Sequence, residues 1–421
     1  MKRILVWFRS DLRVRDHAVL AAAVAEADEV IPFYCFDDHY YQQLPFGFSK
    51  TGAFRAQFIR ESVADLRVQL QNLGGDLAIR KGATPQAIKA IHEEFPLDAI
   101  YHAQEVTHEE RQIEEAVRGL EIPMQGFWNY SLYHLDELPV EVSKIPRVFT
   151  PFRKKMEKYS HVREEIPTPE EVEIPADFSW QELPKMEELG LETTDTDPRA
   201  VLDFKGGETE AWQRLNHYFW DQKHLQEYKK TRNGLVGADY SSKFSAWLSQ
   251  GCISPVSIYH QIKEFEKEVK KNSSTYWLYF ELMWRDFFRF TALKQGEQFF
   301  KMPENHAPRY SKKHFEKWRL GETGQDFVDA NMREILHTGF MSNRGRQNVA
   351  SYLVKDLGKH WYTGAAWFES QLIDYDVCSN YGNWTYVAGV GNDPRENRWF
   401  NVEKQAERYD EDGSFRKLWL D

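Results

Sequence analysis

Cysteine is scarce: Cys35, Cys252 and Cys378 are the only three in 421 residues, and they lie far apart. That excludes a disulfide framework and a cysteine-built zinc site, and it fits a reducing, cytoplasmic setting. Long apolar runs are missing too. No stretch approaches the roughly 18 to 20 residues a membrane helix needs, and the apolar start of MKRILVWFRS breaks at Arg9, too early for a secretory signal. A surplus of positive charge is also lacking. With 54 basic and 65 acidic residues the net charge is -11, so a nucleic-acid partner would have to be met by a local patch. Glycine is absent where a nicotinamide-binding domain would need it, because the first β-rich run continues as FRSDLRVRD. An ordinary dinucleotide fingerprint is thereby excluded. There is no internal repeat and no metal-ligand cluster.

Aromatic residues are what the chain has in excess, with 14 Trp, 20 Tyr and 28 Phe. Such side chains serve cores, stacking surfaces and redox paths alike. The length predicts two or three domains. The acidity is local: residues 164–198 carry twelve acidic side chains and one basic, Lys185, so the rest of the chain balances at 53 of each sign. This proline-rich stretch reads as a solvated linker. Just before it, residues 144–163 carry seven basic side chains and one acidic. Neighbouring blocks of opposite sign either pair with each other or leave the basic block to face a polyanion.

The two ends of the chain differ in pattern. Upstream, short apolar runs (4–8, 30–36, 77–80, 99–102, 122–127) alternate with helical patterns (17–27, 54–73, 84–95, 107–120). Repeated strand-helix units predict a doubly wound parallel sheet over residues 1–135, with ligands beyond the carboxyl ends of the strands. Residues 136–205 read as the interdomain linker and 206–421 as a helical domain.

Three constellations could carry chemistry. In 275–293, Glu281, Trp284, Arg285 and Phe288 share one helix face, so a carboxyl, an indole and a guanidinium converge among aromatics. On spacing alone, a plain Glu281–Arg285 pair with core packing is the favoured reading. In 338–358, Asn343, Arg346, Gln347 and Ala350 form a polar stripe suited to a polar ligand. Then LIDYDVCSNYGNWTYVAG places Asp374 and Asp376 in the last part of a helix and Asn380, Gly382 and Asn383 in a turn. Acids there oppose the helix dipole and call for a cationic partner, for which Arg346 is the candidate. The loop YSSKFS (240–245) offers hydroxyls and a lysine suited to a phosphate or pyrophosphate, or simply a serine cap.

WFRSDLRVRDHAVL, YKKTRNGLVGADYSSKFSAWLSQGCISP, TYWLYFELMWRDFFRF, TGFMSNRGRQNVASYLVKDLG and WFESQLIDYDVCSNYGNWTYVAGVGNDPR together resemble the photolyase/cryptochrome family, and closely its DASH-type cryptochromes. The resemblance implies an α/β antenna domain and a helical domain holding FAD. It further implies blue-light repair of cyclobutane pyrimidine dimers, mainly in single-stranded DNA, by a monomer. Tyr228, Ser241, Ser242, Lys243, Phe244 and Ser245 would serve the FAD diphosphate region. Arg285, Asn343, Arg346, Asp374, Asp376 and Asn380 would surround the flavin, with Asn380 beside its N5. Glu281 and Asn343 would be catalytic, Glu281 donating a hydrogen bond to the dimer, which requires it to be protonated. Trp284, Gln347 and Tyr386 would wall the substrate pocket, the last two replacing a methionine and a tryptophan of duplex-repairing relatives.

Trp384 and Trp361 would be the inner members of an electron-transfer chain, or else ordinary core tryptophans. The outer tryptophan position falls at Pro308, so the outer relay is either lost or taken by a neighbour such as Tyr310. His17 stands where the family usually has asparagine. Glu109 would contact a 5,10-methenyltetrahydrofolate antenna, or else is a solvated first-turn acid. The same flavin pocket would serve a blue-light receptor in signalling, but with RKLWLD closing the sequence directly after the helical domain, no tail for an output is expected.

Overall fold

The computed structural model describes residues 1–300, 312–358, 360–395 and 398–421. The first half is the expected parallel sheet. Strands β1 (Arg3–Phe8), β2 (Glu29–Asp37), β3 (Ala78–Gly82), β4 (Ala99–Ala103) and β5 (Met124–Phe127) lie in the order β3-β2-β1-β4-β5, all parallel. Helices α1 (Ala18–Glu26), α2 (Ala53–Asn72), α3 (Thr84–Glu94) and α4 (His108–Arg118) make the crossovers. Ile4, Leu5, Val6 and Phe8 are fully buried, as strands covered on both faces must be. Register sets Ile4 beside Val30 on one side and Ala99 on the other.

His17 now has a physical account. It caps α1, its Nδ1 accepting from Leu20 N at 3.0 Å, while Nε2 lies 3.0 Å from Asp11 Oδ2. A ring nitrogen thus does what an asparagine oxygen does at an N-cap.

The stretch 136–205 contains one regular helix, α5 (Phe149–Tyr159), whose Phe149, Phe152 and Met156 are buried. The rest is an extended strap lying on the α/β half, tied down by Val172 N to Leu73 O and Val30 N to Glu173 O. Among the described residues the basic block does not pair with the acidic strap. Its ion-pair partners are Asp136, Glu137, Glu141 and Glu157, and Lys154, Lys155 and Lys158 stay exposed.

The second half is helical: α6 (Glu208–Asn216), α7 (Tyr228–Thr231), α8 (Ser245–Ser249), α9 (Pro255–Glu268), α10 (Ser273–Gln295), α11 (Lys312–Arg319), α12 (Asp326–Thr338), α13 (Asn343–Ser351), α14 (Trp361–Gln371), α15 (Val377–Ala388), α16 (Val402–Tyr409) and α17 (Ser414–Leu420). No helix of the described residues is long and apolar enough to cross a membrane. The two halves share buried polar contacts. Asp286 of α10 accepts from Leu132 N and Tyr133 N, both at 2.9 Å, and Arg13 donates to Gly251 O at 3.0 Å. Gly251 is obligatory here, because a Cβ would lie 2.2 Å from Ser10 O and its φ is +64°.

One expectation fails. The helix before Asp374 ends at Gln371, and Leu372 already has extended backbone. Asp376 is the N-cap of α15, its carboxylate accepting from Ser379 N at 2.7 Å, and Asn380, Gly382 and Asn383 lie inside that helix rather than in a turn. The acid meets the positive end of the dipole, so the predicted opposition does not arise.

Candidate functional site

The site sits where α10, α13 and α15 converge. α10 starts firmly: Asn272 and Thr275 form a reciprocal capping box, which fixes the rotation of the helix and hence the face it presents. Glu281, Trp284 and Phe288 of that face line a cavity of about 300 Å³ together with Asn343, Arg346 and Gln347 of α13 and Asn380, Trp384 and Tyr386 of α15. A second space of about 280 Å³ adjoins it, sharing Glu281, Trp284, Arg346 and Asp374 and running on to Tyr228 and residues 240–245. All the predicted flavin, diphosphate and substrate residues except Asn380, Gln347 and Tyr386 line this second space, and those three line the first.

The loop 237–245 is shaped by Arg214 of α6. Its guanidinium takes the carbonyls of Ala238, Ser241 and Ser242 at 3.0 to 3.1 Å and pairs with Asp239 at 2.7 Å. Lys243, at φ +58°, is held against the Tyr240 ring, 3.3 Å from its centroid. Burial, reinforced by the nearby Arg214 charge, pulls its ammonium down to about 7. Glu334 and Asp239 oppose that fall without cancelling it, and a lysine so placed, in a space lined by three serines, suits a further anion.

At the other end Arg346 pairs with Asp374 Oδ2 at 2.8 Å, the partnership expected from the sequence. Asp374 Oδ1 is buried and has no partner, so a donor from a ligand would complete it. Arg285 does not pair with Glu281. It donates to the carbonyls of Tyr130 and Leu248 and lies 3.9 Å from Asp376. Asn380 donates to Ala365 O at 3.0 Å, which locks its amide against α14. An anion-seeking loop at one end and a polar, partly unsatisfied cluster at the other fit a dinucleotide with a phosphate centre, such as FAD.

Glu281 instead takes a charged hydrogen bond from Arg232, a residue the sequence reading did not single out. Burial raises the Glu281 carboxyl above its ordinary value, and Arg232 opposes that without cancelling it. Nothing local pointed to Arg232: it lies 49 residues away, on the turn after α7. Ring contacts and hydrogen bonds hold the pocket wall in place. Trp284 meets Tyr386 edge-on at 5.9 Å, Tyr386 OH accepts from Arg398 at 2.9 Å, and Gln347 Oε1 accepts from Arg344 at 2.9 Å.

Trp384 and Trp361 are both buried. Trp384 packs edge-on to Phe368 at 5.0 Å and on Gly364, whose Cβ would lie 2.3 Å from the indole, so only glycine admits that ring. Pro308 and Tyr310 lie outside the described residues. Glu109 is a half-exposed first-turn acid of α4 that is also ion-paired. It is 2.7 Å from Lys50 Nζ and 3.3 Å from His39 Nε2, and against the cost of burial these partners hold its carboxyl down to about 2. It borders a cavity of about 260 Å³ with His108, Glu297, Tyr362 and Tyr381.

The family profile for DNA photolyase matches residues 4–171, and that for the FAD binding domain of DNA photolyase matches residues 277–421. The cryptochrome DASH of Gloeobacter violaceus is 50% identical over 427 residues, covering 100% of this chain and 85% of that protein. That of Xenopus laevis is 47% identical, covering 99% and 82%. Among solved structures, the Synechocystis cryptochrome superposes with a TM-score of 0.95 at 45% identity, covering 100% of this chain and 89% of that one. A class III photolyase from Agrobacterium tumefaciens gives 0.83 at 27%, covering 100% and 86%. The chain belongs to the photolyase/cryptochrome family, among its DASH cryptochromes, and its helical half is an FAD-binding domain.

Proposed function

We propose that this protein is a light-driven photolyase that splits cyclobutane pyrimidine dimers in single-stranded DNA, acting as a cytoplasmic monomer. The observation that carries the reading is the place of Glu281: a carboxyl with raised proton affinity, flanked by an aromatic wall, at the junction of the cofactor space and an open pocket. FAD, when bound and reduced, supplies the electron after absorbing blue light. The residues of this chain do the rest. Lys243 and Ser241, Ser242 and Ser245 bind the diphosphate, and Tyr228 and Phe244 pack beside them. Arg285, Arg346, Asp374, Asp376 and Asn380 orient the ring system. Glu281, protonated, and Asn343 donate hydrogen bonds to the base carbonyls, where negative charge develops.

Trp284, Gln347 and Tyr386 receive the extruded bases. Extrusion from a duplex costs about a few kcal/mol and least from a single strand. A wall in which glutamine and tyrosine are tethered by Arg344 and Arg398 recovers less apolar contact than larger rings would, and so favours the cheaper substrate. The exposed Lys154, Lys155 and Lys158 of α5, whose first residue backs Trp284, supply the local positive surface. The cavity beside Glu109 is the place for 5,10-methenyltetrahydrofolate, whose pterin N–H groups match its carboxylates.

The test is light-dependent repair of a single dimer in single-stranded and duplex oligonucleotides, with Glu281→Ala alongside. Strong repair of single strands, lost in Glu281→Ala, is expected. Equal repair of both substrates would overturn the strand preference. No repair by a flavin-loaded, photoreducible protein would leave light sensing as its function.

A further inference from the structure

The path through Trp384 and Trp361 needs an outer donor, and the residues around Trp361 supply one. Trp361 opens α14, and Gly364, on which Trp384 rests, lies one turn further on the same face. Two tyrosines touch Trp361. Tyr362 is 5.8 Å away and Tyr381 is 6.2 Å away with its plane at 85°, and the two are 5.8 Å from each other.

A buried tyrosine can give up an electron at neutral pH only if its phenolic proton leaves with it, so the hydroxyl must face a base. Tyr381 is 5% exposed, and its hydroxyl donates to Glu369 Oε2 at 3.2 Å. The other oxygen of Glu369 is 2.9 Å from Lys50 Nζ, which is also 2.7 Å from Glu109, itself 3.3 Å from His39 Nε2. A continuous polar line therefore runs from Tyr381 across the junction of the two halves to the half-exposed Glu109 and His39. Burial holds the Tyr381 phenol far above its ordinary value, with the Glu369 and Tyr362 oxygens adding to that, so the ground state keeps its proton.

We propose that Tyr381 is the terminal electron donor of the tryptophan path and that Glu369 accepts its phenolic proton. The proposal rests on the reading of Trp384 and Trp361 as electron carriers. In the step, the Trp361 radical cation formed by light takes one electron from Tyr381, and the O–H proton passes to Glu369 Oε2. Trp361 returns to its neutral closed shell, Tyr381 becomes a neutral radical and Glu369 a carboxylic acid. One buried positive and one buried negative charge disappear together, so the step creates no new charge in a low-dielectric interior. Return of the electron then requires return of the proton, which prolongs the charge separation.

The test is electron paramagnetic resonance and transient absorption on the flavin-loaded, oxidised protein under blue light, with and without ring-deuterated tyrosine. Wild type should give a tyrosyl radical whose lines narrow on deuteration. Tyr381→Phe, at equal flavin content, should lose it and leave a tryptophan radical. Glu369→Gln should slow its appearance by about a hundredfold, the scale of a lost proton acceptor. A tyrosyl signal that survives Tyr381→Phe, or vanishes instead in Tyr362→Phe or Tyr310→Phe, would overturn the proposal, as would a tryptophan radical alone in wild type. Trp384→Phe separates the two readings. If it leaves photoreduction unchanged, the tryptophan path itself is wrong. If it abolishes photoreduction while Tyr381→Phe changes nothing, only the tyrosine step falls.

Discussion

Phe149 lies flat against Trp284, with ring centroids 3.8 Å apart and planes 12° from parallel. A residue of the segment that joins the two halves thus forms the back of the pocket wall. Phe149→Ala would open a cavity at a site only 4% exposed, costing about 3–5 kcal/mol. It should also free the indole to turn. A clear drop in melting temperature, with dimer-oligonucleotide affinity falling more than flavin affinity, is the expected result.

With Lys243 at the diphosphate, as proposed, flavin binding should depend on pH. In the empty site its ammonium is pulled down to about 7, whereas a bound diphosphate would hold it charged. Binding then takes up a proton above pH 7, and affinity should fall as pH rises from 7 toward 9, by at most about tenfold per unit. Lys243→Met should bind FAD weakly with a flat pH profile, read by flavin fluorescence on titration. The sign for the flavin-free protein is opposite. The unfolded chain holds this proton up to about 10.5, so the group's contribution to stability rises with pH between those values.

In the proposed repair reaction Glu281 should set an alkaline limit. Its carboxyl is raised by burial and lowered by Arg232, so only the lower side of that raised value supplies a proton donor. The repair rate at fixed light should decline as pH rises through it. Arg232→Met removes the opposing charge and should move the decline to higher pH, whereas Glu281→Gln, a donor at every pH, should flatten it. The folded state keeps a proton here that the unfolded chain releases near 4.5, so this group's contribution to stability falls as pH rises above that value.

Much of the fold was readable in the residues. The apolar runs bounded by turn residues fell on all five strands, most clearly on β1, β2 and β4, whose near-complete burial leaves little choice of composition. The Arg346–Asp374 pair was readable because a lone acid needs a cation. The position of Asp376 was misread, since LIDYD continues the helical period of the preceding residues. The overlooked signal was an aspartate three residues before a serine whose backbone N–H it could cap. Helix α5 was hidden in a segment read by its charge, although Phe149, Phe152 and Met156 carry a helical spacing. Lys50 and Glu369 could not have been paired at all, being more than three hundred positions apart.

That capping role separates two substitutions of Asp376. Asp376→Asn keeps an acceptor for Ser379 N and loses only the charge near Arg285. Asp376→Ala loses both and should cost about 0.5–2 kcal/mol more through the cap. Thermal melts of the flavin-free proteins should rank wild type, Asn, Ala in falling order, and equal melting of the two variants would refute the capping account.

Asp286 has a consequence beyond its own contacts. It sits in the helical half with no solvent exposure, and the N–H groups it satisfies belong to residues 132 and 133. Pulling the halves apart would leave it, and partners such as Arg13 and Gly251 O, without their bonds, at about 1–3 kcal/mol for each group still shielded from water. Neither half is a free-standing unit in this arrangement. The whole chain should therefore melt as one cooperative block, in a single calorimetric transition, despite being built from two architectures.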